Sequence, residues 1–260
     1  MGEKNESCVI PLGIAAALPD TAHANSYLAV AREGRYWLVD CADSPITRLQ
    51  QAGLDPLAVQ GVIITHFHPD HVYGLPAYLL GLYLLGKKSP RPLAAPLRIY
   101  ARIEVLNLVR AMIGLYQPQN WTGMFSLEYH PIPVEVGGKV AQDEDFVITA
   151  APTHHSVPSI ALRFVSQDSG RDFVYSSDTA SCPEVETLAR GATLLFHEAT
   201  GAGYGHASAE EAGALATRAG VERLVLIHYT SEAPEQLLAE AQAVFAGPVE
   251  LAQEFARYYW

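Results

Sequence analysis

The sequence predicts an α/β layered fold with helices covering sheets, and three observations carry that expectation. Apolar runs of strand length recur along the chain, and amphipathic helical stretches lie between several of them. The 260 residues are 49% hydrophobic and 17% charged, which suffices for a sizeable core and excludes a disordered or collagen-like chain. No repeat, low-complexity tract or long Pro/Gly/Ser linker interrupts them, so residues 1–260 are expected to form a single domain.

Taken in order, Cys8 to Leu18 reads as a first strand that turns at Pro19-Asp20. Further strands are expected at Tyr27–Val30, Tyr36–Cys41, Gly61–Thr65, Leu97–Ala101, Phe146–Ala150, Ile160–Val165, Phe173–Ser176, Thr193–Phe196 and Arg223–Ile227. The clearest helix follows Gly205-His206-Ala207: Ser208 and Glu211 have capping-box spacing, and Gly220 stands where the helix should stop. A second helix is expected over Pro234–Phe245, before Gly247-Pro248.

Lys and Arg number 17 against 28 Asp and Glu, a formal charge of −11, which is the wrong sign for a surface that tracks nucleic acid. Cys8, Cys41 and Cys182 form no CxxC pair and suit a reducing, cytoplasmic setting as small buried hydrophobes. The apolar stretch Val72–Gly86 contains Pro76 and falls short of the roughly 20 residues of a membrane span. A secretory leader over Cys8–Leu18 is disfavoured, because Glu3, Lys4 and Glu6 make the start acidic rather than basic.

The chemistry concentrates where apolar strands end. After Gly61-Val-Ile-Ile-Thr65 comes His66-Phe67-His68-Pro69-Asp70-His71, an HxHxDH pattern. In extended chain, residues two apart point the same way, so His66 and His68 converge on one ion. Pro69 suits the first turn of a helix, which redirects Asp70 and His71 toward a second ion. Imidazole and carboxylate are donors that zinc accepts, and a solvated loop needs no such cluster. Other strand ends supply His154-His155, Asp178, His197-Glu198 and His228. Asp40 closes Tyr36-Trp-Leu-Val, where one reading is a strand-terminating turn residue.

These segments resemble the metallo-β-lactamase-fold hydrolases, within them the ribonuclease Z-like branch. The resemblance rests on THFHPDH (65–71), HHSVPSIALRF (154–164), YSSDT (175–179), LLFHEAT (194–200), GHASAEEAGALATRAGVERLVLIHYT (205–230) and the tail around EAQAVFAGPVELAQEF. It runs from about residue 9 to the C-terminus, with little of it between 75 and 131. It implies an αββα sandwich, two facing mixed sheets with helices outside, and two Zn²⁺ ions, with Mn²⁺ or Fe²⁺ also able to take such donors. His66, His68 and His155 would hold one ion, Asp70, His71 and His228 the other, and Asp178 would bridge them. His155, directly before Ser156-Val-Pro-Ser, matches the ligand position better than His154. For Asp40 the resemblance implies the other reading, that of the family's first aspartate, which supports the histidine loop.

The catalytic set implied is Asp70, Glu198 and His206. His206 would protonate the leaving oxygen, and Glu198 would orient it and raise its pKa; a plainer reading leaves His206 as the residue before a helix. Two Zn²⁺ against two aspartates and a hydroxide leave about one positive charge, enough to draw an anionic ester to an acidic protein. Ions roughly 3.5 to 4 Å apart would clamp the attacking and leaving oxygens of an in-line displacement.

The chain departs from ribonuclease Z in two respects, one being that the family's glycine-rich start and basic loop near the first strand are altered to Leu12-Gly-Ile-Ala-Ala-Ala-Leu-Pro-Asp-Thr-Ala-His-Ala-Asn25. That enzyme's long arm between the third histidine and the bridging aspartate has no room in the short 155–178 interval, where only Arg163 and Arg171 are basic. The expected function is therefore a dinuclear zinc phosphodiesterase acting on small phosphodiesters or nucleotides. The alternatives are transfer RNA 3′ processing, a carboxylic or sulfate ester hydrolase on the same site, and a catalytically silent metal-binding module, although no ligand is lost. The expected partner is a small anionic ester, with nucleic acid disfavoured, no membrane, and a homodimer possible as in family members. Residues 75–131 are expected to build the pocket wall that sets specificity. His23, His130 and His197 are expected at the surface or satisfied in the core, and Tyr229, Tyr258, Tyr259 and Trp260 in core packing.

Overall fold

The computed structural model describes residues 6–90, 93, 96–230 and 233–260; Glu3 and Lys4 lie outside them. The chain divides into two compact units. The first comprises residues 1–13, 26–131 and 254–259, and the second residues 14–25, 132–253 and Trp260.

Unit one is built from β1 (Cys8–Gly13), β2 (Tyr27–Arg32), β3 (Arg35–Val39), α1 (Pro45–Gln51), β4 (Val59–Ile63), α2 (Pro69–Val72), α3 (Leu75–Lys88), β5 (Leu97–Ala101), α4 (Ile103–Gly114) and β6 (Leu127–Pro131). Its sheet has seven strands, the seventh being the terminal β14 (Tyr258–Tyr259), in the order β14-β1-β2-β3-β4-β5-β6. The β1 to β3 pairs are antiparallel and β3 to β6 are parallel. In α3 the buried positions Leu75, Tyr78, Leu79 and Leu82 follow the helical period, which seats this apolar segment on the sheet's core. Buried Tyr78 donates to the Tyr36 hydroxyl at 2.8 Å, and Tyr36 donates to the Pro56 carbonyl at 2.9 Å, so neither hydroxyl is stranded. Gly61 in β4 lies under Trp37, where a β-carbon would come within 2.5 Å of the indole.

Unit two contains β7 (Gly138–Gln142), β8 (Phe146–Pro152), β9 (Ile160–Ser166), β10 (Asp172–Tyr175), α5 (Pro183–Leu188), β11 (Leu194–Glu198), α6 (Ala209–Ala219), β12 (Leu224–Ile227), α7 (Pro234–Gln242) and β13 (Val249–Leu251). Its seven strands are ordered β13-β12-β11-β10-β9-β8-β7. As in unit one, an antiparallel run leads into a parallel one, here β10-β11-β12-β13. The capping box forms: Glu211 N–H donates to Ser208 Oγ at 3.1 Å, and Ser208 N–H donates to Glu211 Oε2 at 2.9 Å. Such a cap contributes about 1 kcal/mol, and Gly220 ends α6 in the left-handed conformation.

The nine strands expected after the first are present within a residue or two of their expected limits. The first strand is shorter than expected, ending at Gly13, and the chain then turns at Asp20, whose carboxylate accepts from the N–H groups of Ala22 and His23. The α7 helix stops at Gln242 rather than Phe245. The 75–131 segment forms α3, β5, α4 and β6, and residues of α4 together with 118–129 line a cleft of about 690 Å³ within unit one. Cys8, Cys41 and Cys182 are buried free thiols. Among the described residues no helix is long and apolar enough to cross a membrane.

Candidate active site

In both units the candidate residues lie at or just beyond the carboxyl ends of strands, where open α/β sheets place their ligands. In unit one, β4 leads through buried Thr65 and His66 to His68, whose extended backbone precedes α2, and Pro69 takes the first helical position. The turn it starts brings the His71 ring to 4.0 Å from that of His66, with His68 at 4.8 Å. Asp70 Oδ2 lies 3.5 Å from His71 Nε2.

Asp40 ends the neighbouring strand β3 at φ 61° and is fully buried. It accepts from Thr65 N–H at 2.8 Å, from the Thr65 hydroxyl at 2.8 Å and from His71 Nδ1–H at 2.9 Å. Because the Thr65 hydroxyl is spent on Asp40, the 3.0 Å contact between Thr65 Oγ1 and His66 Nδ1 places the proton on the ring. Asp40 therefore orients the histidine loop, beyond serving as a turn residue.

Unit two repeats this logic. Within it, His155 follows β8, Asp178 follows β10, Glu198 ends β11 and His228 follows β12. His228 Nε2 and His155 Nε2 stand 3.5 and 3.9 Å from Asp178 Oδ2. His155 Nδ1–H donates to the Gly205 carbonyl at 2.8 Å. The Thr200 hydroxyl donates to the His228 carbonyl at 2.7 Å, so at 2.8 Å it receives the His228 Nδ1 proton. Four histidines, His66, His71, His155 and His228, are thus held as Nδ1–H tautomers, with Nε2 left as the lone-pair atom. A ligating imidazole needs that state, so the donors fit a divalent metal on chemical grounds. Asp178, His206 and His228 alone bring three donor atoms within 4.8 Å of one another.

His206 lies in the 199–207 loop with its Nδ1–H on Glu198 Oε1 at 2.8 Å. Glu198 is fully buried and also accepts from Thr179 N–H at 2.8 Å and Thr200 N–H at 3.2 Å. The His206 ring is 4.9 Å from that of His155 and stacks 5.7 Å from that of His228. An open cleft of about 600 Å³ beside it is lined by Thr153, His154, His155, Ser156, Ala180, Tyr204 and Gly205. Ser177 and His228 hold φ near 52° and 51°, and such conformations gather at functional sites, where the surroundings over-determine them.

Other histidines lie elsewhere. His154 points to Glu184, its Nε2 3.3 Å from the carboxylate, rather than to Asp178. His197 is buried and donates from Nδ1 to the Glu198 carbonyl; His130 stacks on Tyr100 and pairs with Glu128; His23 pairs with Asp20. Tyr229, Tyr258 and Trp260 are buried, Trp260 against Phe146 and Phe173. Sequence reasoning assigned no role to Thr65, Thr200 or Gly205, the groups that set the histidine tautomers. The only available signal was their place inside the quoted motifs.

Comparison with known proteins places the fold in a family. The family model described as the Beta-lactamase superfamily domain matches residues 35–229. Ribonuclease Z of Synechococcus sp. is 30% identical over 94% of this chain and 93% of its own, and that of Methanothermobacter thermautotrophicus is 28% identical over 90% and 91%. The metallo-β-lactamase fold protein YhfI of Bacillus subtilis superposes with a TM-score of 0.82 at 23% identity, covering 98% of this chain and 100% of that one. The short form of human tRNase Z gives 0.77 at 25%, covering 96% and 98%. Matched along most of its length by this family and its ribonucleases, the chain belongs to the β-lactamase superfamily and is a metallo-β-lactamase-fold, metal-dependent hydrolase of the ribonuclease Z-like branch.

Proposed function

We propose that the chain is a dinuclear metal-dependent phosphodiesterase that cleaves RNA in the manner of ribonuclease Z. The sequence alone put small phosphodiesters first and disfavoured nucleic acid. The ribonuclease names of relatives that align over nine-tenths of the chain reverse that order.

The observation that carries the chemistry is the Glu198–His206 couple, set in unit two beside Asp178 and His228. On this reading His66, His68 and His155 would hold one Zn²⁺ and Asp70, His71 and His228 the other, with Asp178 available to both; Mn²⁺ or Fe²⁺ would suit the same donors. The ions supply Lewis-acid charge and a nucleophile available at neutral pH. Asp40, Thr65, Gly205 and Thr200 keep the imidazole lone pairs on Nε2. Glu198 fixes the His206 ring through Nδ1, so the imidazolium form carries its transferable proton on Nε2. As the P–O bond breaks, that proton passes to the leaving oxygen, a role that contributes about 10²–10⁴-fold in rate.

One observation favours small diesters as a second reading. The chain passes from β9 to β10 through residues 167–171 alone. The flanking basic residues are engaged, Arg163 with Asp172 and the Leu188 carbonyl, and Arg171 with Glu222. Alignments to the relatives run over 291 and 315 positions, more than the chain's 260 residues, so those proteins carry residues that this one lacks.

The test is hydrolysis by zinc-loaded protein of a transfer RNA precursor with a 3′ trailer, beside bis-p-nitrophenyl phosphate, with Asp178→Ala and His206→Ala as controls. Trailer cleavage lost in both variants supports the RNA reading. Cleavage of the diester alone transfers it to small substrates. Neither, with a lactone or sulfate ester hydrolysed instead, overturns the phosphodiesterase assignment.

A further inference from the structure

The residue the metal motif leaves aside, His154, has its own surroundings. One of its ring nitrogens, the Cys182 thiol and the Glu184 carboxylate lie within 4.8 Å of one another, and His154 Nε2 is 3.3 Å from Glu184 Oε2. We propose that His154, Cys182 and Glu184 form a further cation site, separate from the catalytic donors, for a thiophilic divalent cation of the zinc class.

Three features argue for this. First, the donor mixture is selective: thiolate, imidazole and carboxylate together suit zinc, whereas magnesium and calcium call for oxygen donors alone. Thiolate and carboxylate carry two negative charges, which one divalent ion neutralises. Second, the geometry is close. Zinc bonds of about 2.0–2.3 Å set tetrahedral edges of about 3.3–3.8 Å. The His154–Glu184 pair already has that spacing; Cys182 is buried, and the exposed His154 ring has room to rotate the remaining distance.

Third, the backbone of the site is stitched together. Ala180 N–H donates to the His154 carbonyl at 2.8 Å, and His154 N–H donates to Thr179 Oγ1 at 3.2 Å, the same hydroxyl that contacts Cys182 Sγ at 3.6 Å. Three donors with an open fourth position also fit an exchangeable ion. Because His154 precedes His155 and Thr179 follows Asp178, an ion here ties together the two loops that carry those residues. Its chemical step is only ligand exchange: the Cys182 thiol proton leaves to solvent as the metal–sulfur bond forms.

Cobalt titration of the full chain tests the proposal, because the catalytic donor set contains no sulfur. A thiolate-to-cobalt charge-transfer band in the wild type reports this site alone. Cys182→Ser is expected to abolish the band and to bind one Zn²⁺ fewer than wild type by metal analysis. His154→Gln and Glu184→Gln replace side chains that are not fully buried and are expected to weaken cobalt binding at the band about tenfold or more. They keep the test decisive should Cys182→Ser fail to fold. No band in wild type, or a band unchanged in His154→Gln and Glu184→Gln, overturns the proposal. Because the readout is a difference of one ion and a sulfur signature, it stands apart from whether RNA or any diester is cleaved.

Discussion

Replacing Asp40 by Asn tests how the fold prepares His71 for the metal-binding role proposed above. The carboxylate accepts Thr65 N–H on Oδ1, and both the Thr65 hydroxyl and His71 Nδ1–H on Oδ2, all with no solvent access. An amide of the same shape puts an NH₂ where one of these oxygens was. The Thr65 hydroxyl can turn to Oδ1, already 3.0 Å away, but the imidazole proton then faces a donor. The remaining escape is to move that proton to Nε2, where it blocks ligation.

A hydrogen bond to a charged group is worth about 1.5–3 kcal/mol. Disturbing the partner of a metal-bound histidine lowers affinity about 10–100-fold, or about 1.4–2.8 kcal/mol at 1.4 kcal/mol per decade. The two figures agree, so Asp40→Asn is expected to weaken binding of the ion proposed at His71 about 10–100-fold. Chelator competition measures the affinity, and nitrogen-detected NMR of the histidine rings reads the tautomer in metal-free protein. Wild-type affinity in Asp40→Asn with His71 still protonated on Nδ1 would refute the reasoning.

Three further outcomes follow from particular side chains. Gly205 sits at φ +84° with a β-carbon position 2.9 Å from His155 Cα; Gly205→Ala combines left-handed strain of about 1–2 kcal/mol with displacement of His155, so both urea stability and metal affinity are expected to drop. Burial raises the thiol pKa of Cys8, against a smaller opposing effect of Arg257, and that of Cys41, where Asp40 adds to the rise; neither is expected to react with a disulfide reagent until the chain unfolds. Burial depresses the pKa of His197 below 6.5, against the raising effect of the Glu198 carbonyl. The unfolded chain therefore takes up that proton first, so this contribution to stability is whole above about pH 6.5 and is lost as the pH falls toward the lower folded value. In metal-free protein His197→Gln is expected to flatten that decline by up to about 1.4 kcal/mol per pH unit, and identical acid dependence in urea melts of the two proteins would count against it.

Much of the architecture was legible in the sequence because strand-length apolar runs and a capping box are local signals. Ser208, Glu211 and Gly220 announced α6 almost to the residue, since each acts on backbone groups a few positions away. Edge strands were not legible: β6 (Leu127–Pro131) and β13 (Val249–Leu251) are partly exposed along their length, so their apolar pattern is weak and only pairing with β5 and β12 defines them. The helix over Leu75–Lys88 was visible only as an apolar stretch, because its burial follows from what packs on it. Substrate class was the least legible property: the small-diester expectation came from a missing arm, and the RNA reading proposed above rests on the names of relatives that align over nine-tenths of the chain.

What the sequence by itself determined is the donor chemistry. His66, His68, Asp70, His71, Asp178 and His228 are few in kind and sit directly after buried strands, and no structural demand of a strand end calls for imidazole there. Tertiary structure decided how those donors are presented. It set His155 beside Asp178 and turned His154 to Cys182 and Glu184, although the two histidines are neighbours in the chain. It also fixed which ring nitrogen carries the proton, through Asp40, Thr65, Thr200 and Gly205. Those partners lie anywhere from one to fifty residues from the ring they hold, and a hydrogen bond depends on where two atoms stand in space, which separation along a chain does not specify.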